Sequence, residues 1–202
     1  MGRGYPQEVD VLTGRDARGT IEEVSQRLEP RVQRAWAIER LDTLFSSGRA
    51  PEPQPDGFLT GRLIASTTVG PLDSFNRRIA SLWMPWLGKS FQPASQTGIN
   101  VLAPSARSPM KVLWPSYEPP LLSDERIEAF PFTTRVESSA IDATLQVLKI
   151  DYDSDDNPSF IIRRILDELV QVDDDLYLGR ALYRRRDRWH RVLFFTLKRS
   201  LM

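Results

Sequence analysis

FIIRRILDELVQVDDDLYLGRALY, running from Phe160 to Tyr183, is the stretch on which the fold turns. At helical period Ile161, Ile165 and Leu169 share one face; at a period of two, Ile162, Arg164, Leu166, Glu168 and Val170 share one side of a strand. The flanks decide between the two. Asp173, Asp174 and Asp175 suit a hairpin tip, and Leu176 to Tyr183 and Arg191 to Lys198 form one more hairpin across an arginine-rich turn. The segment is therefore read as a strand among hairpins.

Working back toward the N-terminus, Phe58 to Thr67, Ile99 to Ala103, Lys111 to Trp114, Phe130 to Ser138 and Ile141 to Tyr152 repeat the strand-and-turn pattern. Phe75 to Leu87 reads instead as a short helix, with Phe75, Ile79, Leu82, Trp83 and Trp86 on one side and Pro85 fraying its end. Strands in succession without crossover helices form a meander, and closing a meander removes its exposed edges. The expected class is mainly β: a single closed antiparallel barrel at 48–202, whose interior is filled by side chains or holds one apolar molecule.

Ahead of the barrel, residues 1–19 read as a loose tail and 20–47 as a helical arm. Thr20 and Glu23 have capping-box spacing, and Ile21, Val24, Leu28, Val32, Ala35, Leu41 and Phe45 recur at helical intervals. Pro30 predicts a kink, or two helices with Pro30 near the start of the second. Gly48 stops the arm, and Pro51, Pro53 and Pro55 make an extended connector.

Composition narrows the chemistry. Lys and Arg together number 27, as do Asp and Glu, so no overall positive charge points to nucleic acid. The absence of cysteine excludes disulfides, thiolate nucleophiles and cysteine-ligated metals. Met1 to Asp10 lacks the apolar run of a signal peptide and no segment reaches membrane-spanning length, so a cytoplasmic protein without a membrane partner is expected.

Trp86, Gly88, Lys89 and Phe91 resemble the Trp-x-Gly-Lys-x-Phe stretch of a poorly characterised protein family named for a Gly-x-Trp-x-Gly motif. Val172 to Gly179 is similar to the acidic turn and Leu-Gly strand of that family's companion C-terminal segment, and Phe194 and Phe195 to its final aromatic strand. In the naming motif itself, Gly61 is kept while Leu63 and Ala65 stand at the tryptophan and second glycine positions. The resemblance frames residues 41–199 and implies a lipocalin-like, or calycin-like, barrel able to hold a small ligand. It implies no particular activity.

Several constellations have weaker chemistry. Gly88, Lys89 and Ser90 copy the end of a phosphate-binding loop, but Trp83 stands where its first glycine belongs. Asp151, Asp153, Asp155 and Asn157 have calcium-loop spacing, with Asp156 and Ile162 at the glycine and glutamate positions. Arg180, Arg184, Arg185, Arg186, Arg188 and Arg191 surround Trp189 and His190, the only histidine, and read as a solvated turn. No cofactor and no metal are implied.

The aromatic supply is more informative. Trp83, Trp86, Trp114 and Tyr117 can line an apolar pocket in which Arg62, Lys89 and Asn100 orient a ligand, while Tyr177, Asp167 and Glu168 are the acid–base candidates. The first expectation is a barrel binding a small apolar molecule. The second is a cofactor-independent cyclase or isomerase that folds a polyene or polyketide-like substrate by confinement. The third is an interaction module whose helical arm docks a partner or forms a homodimer.

Overall fold

The structure, a computed structural model, describes residues 14–26, 31–66, 85–159 and 161–199. Two helices, α1 (Gly14–Gln26) and α2 (Arg31–Ser47), precede the strands β1 (Gly57–Ser66), β2 (Trp86–Gln92) and β3 (Thr97–Leu102). A short helix α3 (Arg107–Leu113) leads to β4 (Leu121–Leu122). The chain then runs through β5 (Ile127–Ser138), β6 (Gln146–Asp151), β7 (Ile165–Asp173), β8 (Leu176–Arg185) and β9 (Arg188–Arg199).

Every ladder among the described residues is antiparallel, and apart from β3 and β4 neighbours in sequence are neighbours in space. Pairing of β1 with β9 and of β3 with β5 closes a barrel of eight strands, leaving the two-residue β4 outside it against β5. Closure satisfies the edges that an open meander would expose. The expected mainly-β barrel with an N-terminal helical region is thus the observed fold.

Alternation along the strands sorts the core into two layers. Leu59, Phe91, Phe132, Leu148, Ile150, Leu169, Phe195 and Leu197 belong to the cluster that fills the interior. Ile64, Val147, Val170, Leu178 and Phe194 face outward and meet the helices. Ala17, Ile21 and Val24 of α1 and Ala37, Leu41, Leu44 and Phe45 of α2 recur at three- and four-residue intervals and bury this outer face. A backbone bridge between Arg49 and Gln171, with N···O distances of 3.2 and 2.7 Å, pins the chain leaving α2 to β7.

Local readings differ from expectation in four places. α1 begins at Gly14, inside the expected tail, and Thr20 is a buried position within it, not a cap. Between α1 and α2 lies Pro30, outside the described residues, as does most of the expected Phe75–Leu87 helix; its last two residues, Trp86 and Leu87, are in β2. Lys111 to Leu113 is the end of α3, which starts from a 3-10 turn at Pro104 and stops before Pro115, so proline punctuation overrides the short apolar run. Ile141 to Leu145 is a turn held by Ser139 and Asp142, and β6 starts at Gln146.

Among the described residues, the long connections between barrel strands, 103–126 and 152–164, lie at one end of the barrel. The opposite end is closed by short turns at 93–96, 139–145 and 174–175. The loop-rich end is therefore where a site is sought.

Candidate functional site

Two irregularities in the ladders build the interior of that end. Across β2 and β3, Trp86 pairs with Leu102 and Gly88 with Val101, so Leu87 is the extra residue of a bulge. In a regular strand, Trp86 and Lys89, three apart, face opposite sides; the bulge turns both inward. Gly88 carries it at φ 150°, where a side chain would strike the Leu59 carbonyl. Gly61 on β1 leaves room for the Trp86 ring, which a Cβ there would meet.

The second bulge is on β5, where Asn100 pairs with Ala129 and Ile99 with Pro131, leaving Phe130 over at φ 56°. Its freed backbone groups find side-chain partners: the N–H donates to Tyr117 Oη at 2.7 Å, and the carbonyl accepts from Asn100 Nδ2 at 3.1 Å. Trp114 meets the Phe130 ring edge-on and Tyr117 stacks on it, both at 5.2 Å between centroids. These three aromatics form a plug in the loop-rich end.

Below the plug is a cavity of about 20 Å³ lined by Trp86, Asn100, Leu102, Phe130, Tyr152, Ile162 and Ile165. That is room for about one water-sized group. Ile161, next to the lining Ile162, has φ 74°, a strained value for a β-branched residue.

The polar part of the interior is a network around Lys89, whose side chain is fully buried. Its ammonium donates to Asn100 Oδ1 at 2.8 Å, to Asp167 Oδ2 at 3.0 Å, and to Tyr152 Oη. Tyr152 Oη donates to Asp167 Oδ2 at 3.0 Å and accepts from Asn100 Nδ2 at 3.2 Å; Trp86 Nε1 donates to Asn100 Oδ1 at 3.1 Å. The rings of Trp86, Phe132, Tyr152 and Phe195 stand 5.1–5.5 Å from Lys89 Nζ and surround the cation.

Burial disfavours every charge here. It lowers the Lys89 pKa below the usual lysine value, with Asp167 opposing the shift. It raises the Asp167 carboxyl above the usual carboxylate range, with Lys89 and Tyr152 opposing. Burial and then the Asp167 charge push Tyr152 well above an ordinary phenol. One atom is left over: Asp167 Oδ1 is buried and has no hydrogen-bond partner.

The structure thus gathers Trp86, Lys89, Asn100 and Asp167 from the expected site residues, with Trp114 and Tyr117 at the plug. Tyr152, the last residue of the strand expected at Ile141 to Tyr152, completes the network although it is not among the expected polar site residues. Alternation from Leu148 through Ile150 to Tyr152 is the signal that points it inward. Asn157 then fixes it, donating to the Tyr152 carbonyl at 2.9 Å and to that of Pro131 at 2.7 Å.

Other candidates lie elsewhere. Arg62 is on the outer face of β1, exposed and paired with Glu22 of α1 at 3.3 Å, because Leu59, Gly61 and Leu63 take the inward positions. Glu168 also faces outward, one residue after the inward Asp167, and bonds Ser139, Ala140 and Arg180. Tyr177 is buried inside, near the start of β8 and opposite Gln171, away from the Lys89 network; burial raises its pKa. Trp83 is outside the described residues. Asp153 and Asp155 both pair with Arg163, at 3.0 and 2.8 Å, and His190 is exposed on the β8–β9 hairpin.

With this geometry in hand, comparison with known proteins adds little. No protein-family model and no curated protein matches the sequence. Among solved structures, the crystal structure of a protein from Thermomonospora curvata is similar at 18% identity, covering 89% of this chain and 99% of that one with a TM-score of 0.46. No helix among the described residues is long and apolar enough to cross a membrane.

Proposed function

We propose that this protein is a binding barrel that takes one small, largely apolar molecule into its loop-rich end. The observation carrying this reading is the Lys89–Asp167 pair, fully buried in the barrel interior and hydrogen-bonded to Asn100 and Tyr152, which line an aromatic-walled cavity. Such a pair contributes little to folding, because the cost of desolvating two charges offsets their attraction. Polar groups converging under an apolar cavity are what orient a ligand in a binding pocket. At about 20 Å³ the cavity itself admits only a small group, so the body of the ligand displaces plug side chains such as Phe130 and Trp114. The left-handed backbone at Phe130 and Ile161 favours that movement, since both residues gain by leaving it.

The test is native mass spectrometry of freshly purified protein against the same sample after solvent extraction. An extractable small molecule at one per chain is the expected result. A clean protein mass, together with no saturable uptake of naphthalene-sized compounds, overturns the reading.

One observation favours a second reading, an isomerase or cyclase working in the same cavity. Tyr152 both lines the cavity and donates to Asp167, so a proton can pass between a substrate and the carboxyl through its hydroxyl. Turnover by the wild type that disappears in Tyr152→Phe while binding persists is the result expected of that reading. The buried apolar residues of the helical arm pack on the protein's own barrel.

A further inference from the structure

Within the network of Trp86, Lys89, Asn100, Tyr152 and Asp167, one side-chain polar atom has no hydrogen-bond partner. The three ammonium protons of Lys89 go to Asn100 Oδ1, Tyr152 Oη and Asp167 Oδ2. The hydroxyl of Tyr152 also donates to Asp167 Oδ2, and Asn100 Nδ2 donates to Phe130 O and Tyr152 Oη. Trp86 Nε1 donates to Asn100 Oδ1. Both bonds to Asp167 therefore fall on Oδ2, while Oδ1, in a side chain of zero exposure, accepts none. The next residue shows that the fold can saturate a buried carboxylate, since both oxygens of Glu168 are engaged. A charged acceptor left unmet in a low-dielectric interior is costly, and its complement is a hydrogen-bond donor.

We infer that the ligand of this barrel carries a hydroxyl group on an otherwise apolar body, an alcohol or phenol whose O–H donates to Asp167 Oδ1. This rests on the binding reading above and names its ligand class. Asp167 is the next inward position on β7 after Ile165, which lines the cavity, and it is bonded to Tyr152, which lines it as well. A ketone or an ether brings only acceptors to an atom that needs a donor. An amine donates, but as an ammonium it is repelled by Lys89, whose cation already sits against the same carboxyl. A neutral hydroxyl meets both conditions, and its oxygen is about the size of group the cavity admits.

The experiment is a calorimetric titration of the wild-type protein with three compounds of matched size: 1-naphthol, 1-methoxynaphthalene and 1-methylnaphthalene. The naphthol is expected to bind at least about tenfold more tightly than the other two, the value of one hydrogen bond to a charged acceptor. In Asp167→Asn, checked for a native circular-dichroism spectrum, the ratio of naphthol to methylnaphthalene affinity should fall to near one. Should this variant not fold, the wild-type series decides alone. If all three compounds bind equally, the hydroxyl inference falls and the binding reading stands; a retained buried water on Oδ1 gives this same result. If none binds saturably, the binding reading fails and the inference with it.

Discussion

Asp167 and Glu168 are consecutive residues of β7 that point to opposite sides of one barrel wall, and each meets a cation. Inside, Asp167 and Lys89 share a network that leaves one carboxylate oxygen without a donor. Outside, under α2, Glu168 accepts from Arg180 Nε at 2.8 Å and Ser139 Oγ at 2.9 Å on one oxygen and from the Ala140 N–H at 2.6 Å on the other. Arg180 also donates to Ser139 Oγ at 2.8 Å, and its guanidinium lies 4.1 Å from the Phe45 ring centre. The outer pair ties the β5–β6 turn, β7, β8 and α2 together. The inner pair ties strands together too, yet keeps an acceptor in reserve. Equal burial does not mean equal bonding: the outer carboxylate is saturated, and the inner one, bonded to a residue that lines the cavity, is not.

The largest effect is expected where saturation is complete. Glu168→Leu leaves the Arg180 charge, the Ser139 hydroxyl and the Ala140 N–H without their acceptor, and should cost about 3–5 kcal/mol in urea denaturation. A loss below about 1 kcal/mol would remove the distinction drawn between the pairs.

Lys89→Met should cost about 3 kcal/mol near neutrality, since it strands Asp167, and the cost should depend on pH. The Asp167 carboxyl is already raised by burial, and without Lys89 it rises further. The folded variant then binds more protons than the unfolded chain. The stability contributed by this carboxyl is fully present below its ordinary value of 3.8 and is lost as pH rises through the raised one. Urea titrations across acid pH should show this slope in the variant and a shallower one in the wild type.

Replacing both members sharpens the contrast. Lys89→Met with Asp167→Leu should cost less than Lys89→Met alone, about 1 kcal/mol, because apolar side chains of similar volume avoid desolvating the two charges and only the Tyr152 hydroxyl loses its acceptor. Arg180→Met with Glu168→Leu should remain destabilised by about 1–3 kcal/mol, because the Ala140 N–H and the Ser139 hydroxyl lose their acceptor. A comparably small effect belongs to the plug: Tyr117→Phe leaves the Phe130 N–H without its partner at a cost of about 1 kcal/mol. It should also speed uptake of 1-naphthol in stopped-flow quenching of tryptophan fluorescence.

Much of this molecule was legible before any coordinates. Alternation through β7, β8 and β9 needs only a period-two pattern and polar tips, so the meander and its hairpins follow from local residue order. The same alternation states that Asp167 and Glu168 face opposite ways. The strand β2 escaped that logic for a physical reason: Trp86 falls in with the helical spacing of the residues before it, and the bulge at Leu87 breaks the period-two alternation that would have joined it to Lys89 and Phe91. Likewise Lys111 to Trp114 has a strand's apolar run but a helix's proline punctuation. Residue order by itself determined that this chain makes antiparallel strands, carries a helical arm, and lacks cysteine chemistry. Tertiary structure alone decided that β3 closes on β5, which face of β7 is the interior, and that Lys89, Asn100, Tyr152 and Asp167 meet there. These contacts join residues 11 to 78 positions apart, and a period sets the side a residue faces, not the partner it finds across a closed barrel.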